Sequence, residues 1–125
     1  MKQCVLLLIG KHLIVIIGMN KFINDVEIQG VIGSIRENQI DEQYVYNLSV
    51  CTDYRYMSKD GMGVIESTWH SITFWSSKKW NLEKGKWIHV KGHLKMKQWT
   101  GADGTNRTSI IVQANENDVE LLKSE

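Results

Sequence analysis

Apolar and polar residues alternate along most of the chain, which is the period of a β-strand. The alternation predicts five strands, one short helix between the third and fourth, and a brief last pairing. The predicted strands are Phe22–Ile35, Tyr44–Thr52, Val64–Trp75, Lys86–Trp99 and Arg107–Gln113; the helix is Ser76–Glu83 and the last pairing is Val119–Leu122. Arg36–Gln43 is expected to be a polar connection, and the Asp103-Gly104 pair marks a hairpin loop.

This order of elements predicts an all-β domain with one short helix. Five strands with a helix before the fourth fit a small Greek-key barrel of the OB-fold kind, and the alternative is a β-sandwich. We favour the barrel because Gly30 and Gly92 lie in mid-strand, where a strongly coiled strand needs room to bend.

The first eighteen residues differ from the rest. Met1–Gly18 has 12 apolar residues and no acidic one, but Lys11 and His12 interrupt the apolar run. A signal peptide needs an uninterrupted run, and a membrane span needs about 20 apolar residues. We therefore expect residues 1–18 to be an extension outside the natural domain, with Met19 as the natural start and the domain covering residues 19–125. The alternatives are a poor signal or anchoring segment, or an extra strand.

Composition indicates one globular domain, since the 125 residues are 42% apolar. The net charge of +1 excludes a uniformly basic protein, although it allows a basic patch. Cys4 and Cys51 lack the spacing of a metal or redox motif and are expected to be reduced thiols in a cytoplasmic protein.

The predicted fourth strand has two unlike faces. Ile88, Val90, Gly92, Leu94 and Met96 share the parity expected to face the core. The other parity alternates rings with cations: Trp87, His89, Lys91, His93, Lys95, Lys97 and Trp99. From Lys78 to Trp99 there are seven lysines and one glutamate, a local charge of 7 − 1 = +6. The small net charge therefore hides an asymmetric distribution.

Aromatic rings among lysines favour single-stranded nucleic acid as the ligand. Lysines neutralise phosphates, and aromatic side chains stack on unpaired bases. Trp69 and Trp75 are six residues apart on the third strand and so share one face. Exposed tryptophans would have no stacking partner on duplex DNA, because its bases offer no free ring faces. Trp80, in the predicted helix, is expected to belong to the core instead.

The sequence gives little support for a catalytic function. His89 and His93 would lie about 13 Å apart on a strand, too far to share one zinc ion. The chain has no nucleotide-binding glycine motif and no nucleophile elbow. We therefore expect no catalytic residue, no metal site and no cofactor.

Two segments resemble the bacterial single-stranded DNA-binding protein family. The first runs Trp69-His70 with Ile72, Phe74 and Trp75. The second runs Leu82-x-Lys84-Gly85-x-x-Ile88-x-Val90-x-Gly92-x-Leu94, with Trp99 five residues later. Weaker matches are Asn20-Lys21 with Val26, Ile28, Gly30 and Gly33, and Asn47-Leu48-Ser49-Val50. The resemblance covers roughly Met19 to Leu122.

The resemblance implies an OB-fold homotetramer, a dimer of dimers, that protects single-stranded DNA in replication, recombination and repair. It implies base stacking by Tyr56, Trp69, Trp75 and Trp99, where Trp75 replaces the family's usual phenylalanine. Together with Trp87, Lys91, Lys95 and Lys97 from the strand pattern, these are the expected DNA-binding residues. His70 matches a position that in the family lies at a subunit interface. The protein would then be cytoplasmic and associated with the bacterial nucleoid.

Three departures from the family pattern qualify these expectations. Thr68 replaces a frequent glutamate, and residues 35–43 lack the usual Asp-Pro turn. The sequence also ends without the flexible, acidic-tipped tail that recruits partner enzymes, which would make such recruitment doubtful and would suit a short version from a mobile element or phage.

Two other functions stay open from the sequence. One is an OB-fold accessory subunit that contacts proteins in a replication assembly. The other is an RNA-binding, cold-shock-like domain, because stacking and phosphate contacts serve RNA as well as DNA.

Overall fold

The computed structural model describes residues 8–9, 12–13 and 20–123. Its strands are β1 (Leu8–Ile9), β2 (His12–Leu13), β3 (Val26–Ile40), β4 (Gln43–Met57), β5 (Gly63–Ser76), β6 (Trp87–Thr100) and β7 (Asn106–Leu121). The short strands β1 and β2 pair with each other antiparallel. The expectation that residues 1–18 stand outside the natural domain falls mostly outside the described residues.

The five long strands form a closed barrel in the order β3-β4-β5-β7-β6, with β6 pairing back onto β3. Every pair is antiparallel except β5 with β7, which is parallel. This is the Greek-key order of an OB-fold, so the predicted architecture is confirmed. Within the described residues, no helix is long and apolar enough to cross a membrane.

The predicted helix at Ser76–Glu83 is wrong, because the described part of the chain contains no helix and this segment is a loop. A hydroxyl from β4 takes one of the backbone donors that a helix would use internally. The Lys78 amide donates to the buried Ser76 hydroxyl, and the Trp80 amide donates to the Tyr46 hydroxyl at 2.8 Å. Trp80 packs edge-on against Phe74 in the core, as predicted.

The predicted connection Arg36–Gln43 is also wrong. β3 continues to Ile40, and a two-residue turn at Asp41 and Glu42 leads directly into β4. Asp41 has φ of 56°, a left-handed conformation that aspartate tolerates better than most residues. The polar side chains that suggested a loop instead lie on a hairpin that extends beyond the barrel core.

The predicted fifth strand and last pairing are parts of one strand, β7. Its partner β6 pairs with it on both sides of an irregularity between Val90 and Gly92. Gly92 lies opposite Ala114 and Val90 lies opposite Val119, so residues 115–118 bulge out of the ladder. Residues 112–114 of β7 pair with β5 on one edge and with β6 on the other, and the pairing with β6 resumes at Val119 after the bulge.

The core contains inward residues of all five long strands, including Ile32, Val50, Phe74, Ile88 and Val112. A Cβ at Gly30 or Gly92 would overlap a backbone carbonyl of the neighbouring strand, so the absence of a side chain at both positions allows the strands to approach closely. Leu94 and Met96 were predicted in the core and are instead 48% and 59% exposed. Beyond Gly92, β6 leaves β3 and pairs only with β7, so residues 93–111 form a protruding hairpin, the β6–β7 arm.

Candidate nucleic-acid interface

The outward face of β4 and β5 carries the tryptophans of the third predicted strand. In the strand register, Cys51 lies opposite Trp69, Ser49 opposite Ser71, Asn47 opposite Thr73, and Val45 opposite Trp75. Directly paired residues point to the same side of a sheet. Two rows of small polar side chains therefore separate two rings about 20 Å apart along β5.

The absence of a side chain at Gly33 makes room for the Trp69 ring. A Cβ at Gly33 would overlap the Trp69 ring, so the ring packs against the backbone of β3 at this glycine, near Ser49. The register of β3 against β4 shifts between Ile32 and Ser34, which places this glycine at a bulge. Trp69 stays 60% exposed and presents its outer surface to solvent.

Trp99 reaches the same face from the β6–β7 arm. Its indole Nε1 donates to the Ser109 hydroxyl at 3.1 Å, and the Arg107 guanidinium lies 5.5 Å from its ring centroid. These contacts fix the ring while leaving it 44% exposed. Asp103 holds Arg107 through an ion pair at 3.3 Å. Lys97 and Lys95 share the parity of Trp99 along β6.

Between the arm and the β4–β5 face lies a groove of 410 Å³. Its lining residues are Ser34, Arg36, Asn38, Asn47, Leu48, Ser49, Ser71, Ile72, Thr73, Lys97, Trp99, Ser109 and Ile111. They include two cations, and no Asp or Glu belongs to the described residues of this lining. Trp69 and Trp75 lie at the two ends of the β5 stretch that forms its floor. The groove therefore suits a flexible anion that carries flat apolar groups.

Hydrogen bonds order the groove floor. The Ser34 and Ser49 hydroxyls are 2.6 Å apart, and the Thr73 hydroxyl donates to Asn47 Oδ1 at 2.7 Å. Fixed short side chains lose little conformational entropy when a ligand binds. The floor is thus ordered before any ligand arrives.

Trp87 and Lys91, both expected to bind DNA, lie away from this groove. Trp87 is joined to Trp69 by the register Trp87–Val31–Cys51–Trp69, so both rings are on the outer face but three strands apart. Lys91 lies opposite Glu27, whose carboxylate is also 2.6 Å from His89 Nε2. The His89 hydrogen bond is the main reason that the pKa of Glu27 is lowered, and Lys91 adds to it. Lys91 therefore faces an acidic partner, unlike Lys97.

Tyr56 is not brought together with the tryptophans. It lies opposite Val64 on the parity of β4 that alternates with Cys51, so it is on the other side of the β4–β5 hairpin from Trp69. Its hydroxyl donates to Glu66 at 2.8 Å, which raises the pKa of Tyr56. The Tyr54 ring is its neighbour, with centroids 5.6 Å apart.

His70 is half-buried and has a partner within the chain. Its Nε2 is 2.8 Å from the Thr52 hydroxyl, across the β4–β5 ladder. It lies on the inward parity of β5, which also carries Ile72 and Phe74, at an end of the barrel.

Sequence reasoning missed Arg36, Asn38 and Arg107. The first two were assigned to a connection, and Arg107 was placed on a strand without a role. Alternation of Ser34, Arg36 and Asn38 was the available signal for a longer β3. Their meeting with Lys97 depends on the closure of the barrel, which no single strand pattern contains. Across residues 8–9, 12–13 and 20–123, no group of three or more metal-ligating side chains is close enough to hold an ion.

Comparisons with known proteins agree with the family resemblance seen in the sequence. Residues 23–122 match the model of the Single-strand binding protein family. The chain is 30% identical over 76 residues to the single-stranded DNA-binding proteins of Neisseria meningitidis serogroups A and B. Each match covers 58% of this chain and 44% of the relative, so the chain spans less than half the length of these curated relatives.

Solved structures show the same barrel. The wild-type single-stranded DNA binding protein from Thermus aquaticus is similar with a TM-score of 0.64, over 81% of this chain and 50% of that chain. Plasmodium falciparum SSB in complex with ssDNA is similar with a TM-score of 0.67, over 83% of this chain and 96% of that chain. At 18% identity in both cases, these similarities establish the fold.

Proposed function

Because this chain belongs to the single-strand binding protein family, we propose that it binds single-stranded DNA without requiring a particular sequence. Bases stack on tryptophan rings, while lysine and arginine side chains contact the phosphates. The role is one of binding and protection in replication, recombination and repair, with no catalytic step.

One observation carries the proposal: a groove whose described lining has two cations and no carboxylate lies beside exposed tryptophan rings. Phosphates need cations and an absence of nearby acids, and unpaired bases need accessible ring faces. The floor is formed by a curved sheet face, and a flexible single strand follows such a face more readily than a stiff duplex does. The cations of the groove therefore match the phosphates of a single strand, and the tryptophan rings match its unpaired bases.

The proposed roles follow from position. Trp69, Trp75 and Trp99 stack on bases, and Lys95 and Lys97 contact phosphates, joined by Arg36 and Arg107. Trp87 lies on the same outer face and extends the path for longer strands. Lys91 contributes less because Glu27 partly neutralises it, and Tyr56 contacts a strand that passes over the far side of the β4–β5 hairpin.

The assembly is proposed to be a homotetramer made of two dimers, with His70 at a subunit contact. Support comes from family membership and from the half-buried position of His70 at the barrel end. The proposed location is the bacterial cytoplasm, at the nucleoid, where single-stranded DNA arises.

Intrinsic tryptophan fluorescence tests the function. Titration with oligo-dT at low salt should quench the emission strongly, because bases stack on exposed indoles, and added salt should weaken the binding. A duplex of equal length serves as the control and should quench little. Absence of quenching by oligo-dT would contradict the proposal and favour a protein-binding accessory subunit. Tighter binding to oligo-U RNA than to oligo-dU would favour the RNA-binding alternative.

A further inference from the structure

Arg107 is shared between an aromatic ring and a carboxylate at the end of the β6–β7 arm. It is the direct partner of Trp99 across β6 and β7, and its guanidinium lies 5.5 Å from the centroid of the Trp99 ring. Its Nη2 also donates to Asp103 Oδ2 at 3.3 Å. The same guanidinium therefore lies beside a ring that is proposed to stack on bases and is bonded to an acidic side chain.

The loop between β6 and β7 holds Asp103 in this position. Asp103 Oδ1 accepts the Thr105 amide at 3.1 Å and the Thr105 hydroxyl at 2.7 Å, which leaves Oδ2 for Arg107. A Cβ at Gly101 would come within 2.6 Å of Arg107 Nε and 2.9 Å of Asp103 Oδ1, so this glycine leaves the room in which the two side chains meet. The Thr105 hydroxyl is the main cause of the lowered pKa of Asp103, so the carboxylate is charged at neutral pH.

The carboxylate of Asp103 binds Arg107 in the way that a DNA phosphate would. A guanidinium binds carboxylates and phosphates through the same N–H donors. A nucleotide whose base stacks on Trp99 carries its phosphates one sugar away, so a stacked base brings a phosphate towards Arg107. The Arg107 and Asp103 side chains are 51% and 55% exposed, so solvent and salt weaken their ion pair and a phosphate can compete with it.

The cations of the groove have different surroundings from Arg107. Arg36 and Lys97 line the groove, and among the described residues neither of them forms an ion pair. Arg107 has its own carboxylate and so attracts fewer counterions in the free protein than an unpaired cation does. Fewer counterions are then released when a phosphate binds to it, and this release is what drives phosphate binding at low salt.

We propose that Asp103 competes with the DNA phosphate for Arg107 and thereby limits the affinity of the Trp99 end of the site for single-stranded DNA. The proposal rests on the proposed function. In the free protein, Asp103 holds Arg107 beside the Trp99 ring. When a strand binds, the guanidinium turns from the carboxylate to a phosphate. Asp103 acts through Arg107 and does not itself contact the strand.

Asp103→Asn is the direct test. The variant keeps Oδ1 and so can keep both bonds to Thr105, while the group that faces Arg107 loses its charge. Tryptophan quenching should show oligo-dT bound about 1.5-fold to 5-fold more tightly at low salt, the range that corresponds to one exposed ion pair. The slope of log affinity against log salt should become steeper by up to about 0.7, the value for one phosphate contact.

Asp118→Asn is the matched control, since it makes the same change of charge elsewhere. Asp118 lies in the bulge of β7 and outside the groove lining, so its effect on the affinity and on the slope should be smaller. Arg107→Gln gives a background in which competition for the guanidinium is impossible. There, Asp103→Asn should change the affinity no more than Asp118→Asn does. Equal thermal midpoints show that each variant is folded.

The titrations distinguish this proposal from its alternatives. An Asp103→Asn protein that binds oligo-dT no more tightly than Asp118→Asn, or with a flatter salt slope, would overturn the competition and leave general binding intact. An equal gain in the Arg107→Gln background would show that Asp103 repels the strand as a whole, which would also overturn it. If none of the proteins binds oligo-dT, both the competition and the proposed function are wrong.

Discussion

Single residues decide which tryptophans of this chain stay at the surface. Trp69 packs against Gly33, and Trp99 is held by Ser109 and Arg107, yet the two side chains stay 60% and 44% exposed. Trp80 differs because it packs against Phe74 and its Nε1 donates to the buried Ser76 hydroxyl at 3.0 Å. The same residue type is therefore a ligand platform or a core residue according to its neighbours.

Replacing Trp99 by alanine tests stacking at this scale. Trp99→Ala should weaken oligo-dT binding by about 1–3 kcal/mol, the usual cost of losing one base–aromatic contact. Trp99→Phe should restore most of it, since phenylalanine keeps a ring face. The measurement is quenching of the remaining tryptophans at fixed salt. If Trp99→Ala folds normally and binds oligo-dT unchanged, Trp99 is not a stacking residue.

Within one element, β6, the lysines have different surroundings. Lys97 lies on the β6–β7 arm and lines the groove, whereas Lys91 lies in the barrel ladder opposite Glu27. The alternation along β6 does not distinguish Lys91 from Lys97, because both share the parity of Trp87 and Trp99. Their separation arises where β6 leaves β3 after Gly92.

Neutralising these two lysines should have unequal effects. Lys97→Gln should reduce the slope of log affinity against log salt by about 0.7, the value for one phosphate contact on a single strand. Lys91→Gln should reduce it by less, because Glu27 already compensates that charge. Titrations at several salt concentrations give both slopes. Equal reductions for the two variants would show that Lys91 contacts phosphate as fully as Lys97.

The contact between Glu27 and His89 links β3 to β6 and should respond to acid. The His89 hydrogen bond lowers the folded-state pKa of Glu27 below its ordinary value of 4.5. A lowered folded pKa favours folding when the carboxylate is ionised, so this stabilisation is present above the ordinary pKa. It is lost as pH falls through the lowered one.

Glu27→Gln should therefore be less stable than the unmodified protein at neutral pH, and the difference should shrink as pH falls below about 4.5. Urea unfolding at a series of pH values measures it. Glu42→Gln, in the exposed turn after β3, is the control and should give a smaller difference at neutral pH. A difference for Glu27→Gln that stays constant down to the lowest pH would exclude the carboxylate as its source.

The strands, their order and the ring-bearing face were predictable from the sequence because each depends on period-two alternation and on mid-strand glycines. The segment Ser76–Glu83 could not be assigned correctly, since the Trp80 amide donates to the Tyr46 hydroxyl, which is distant in sequence. Leu94 had the pattern of a core residue, and nothing local indicates that its strand has left the barrel. The groove was half predictable: Lys97 and Trp99 follow from one strand, but Arg36 joins them only when β3, β4 and the arm are assembled.

At the scale of the whole molecule, closure of the barrel leaves apolar surface on its extensions. Met96 and Ile110 are direct partners on the β6–β7 arm and are 59% and 62% exposed. Phe22 and Ile23, before β3, are 74% and 70% exposed, and Asn24 beside them is bonded through its side chain to the Leu94 backbone. Neighbouring exposed apolar side chains such as Met96 and Ile110 are typical of surfaces that are covered in an assembly.

The proposed homotetramer provides such cover and is the prediction that concerns the whole molecule. Identical chains that meet about two-fold axes bury the same patch on each partner and close without forming fibres. Light scattering at neutral pH should give a mass near four times the 14.4 kDa of one chain, and a mass near that of one chain would contradict assembly.

His70→Ala should weaken the tetramer on dilution if His70 lies at a subunit contact. Thr52→Val serves as the comparison, because it removes only the hydrogen bond that His70 makes within its own chain. If both variants dissociate alike, His70 supports the tetramer only through its hydrogen bond to Thr52 within its own chain. If only His70→Ala dissociates, the imidazole ring itself contacts the neighbouring subunit.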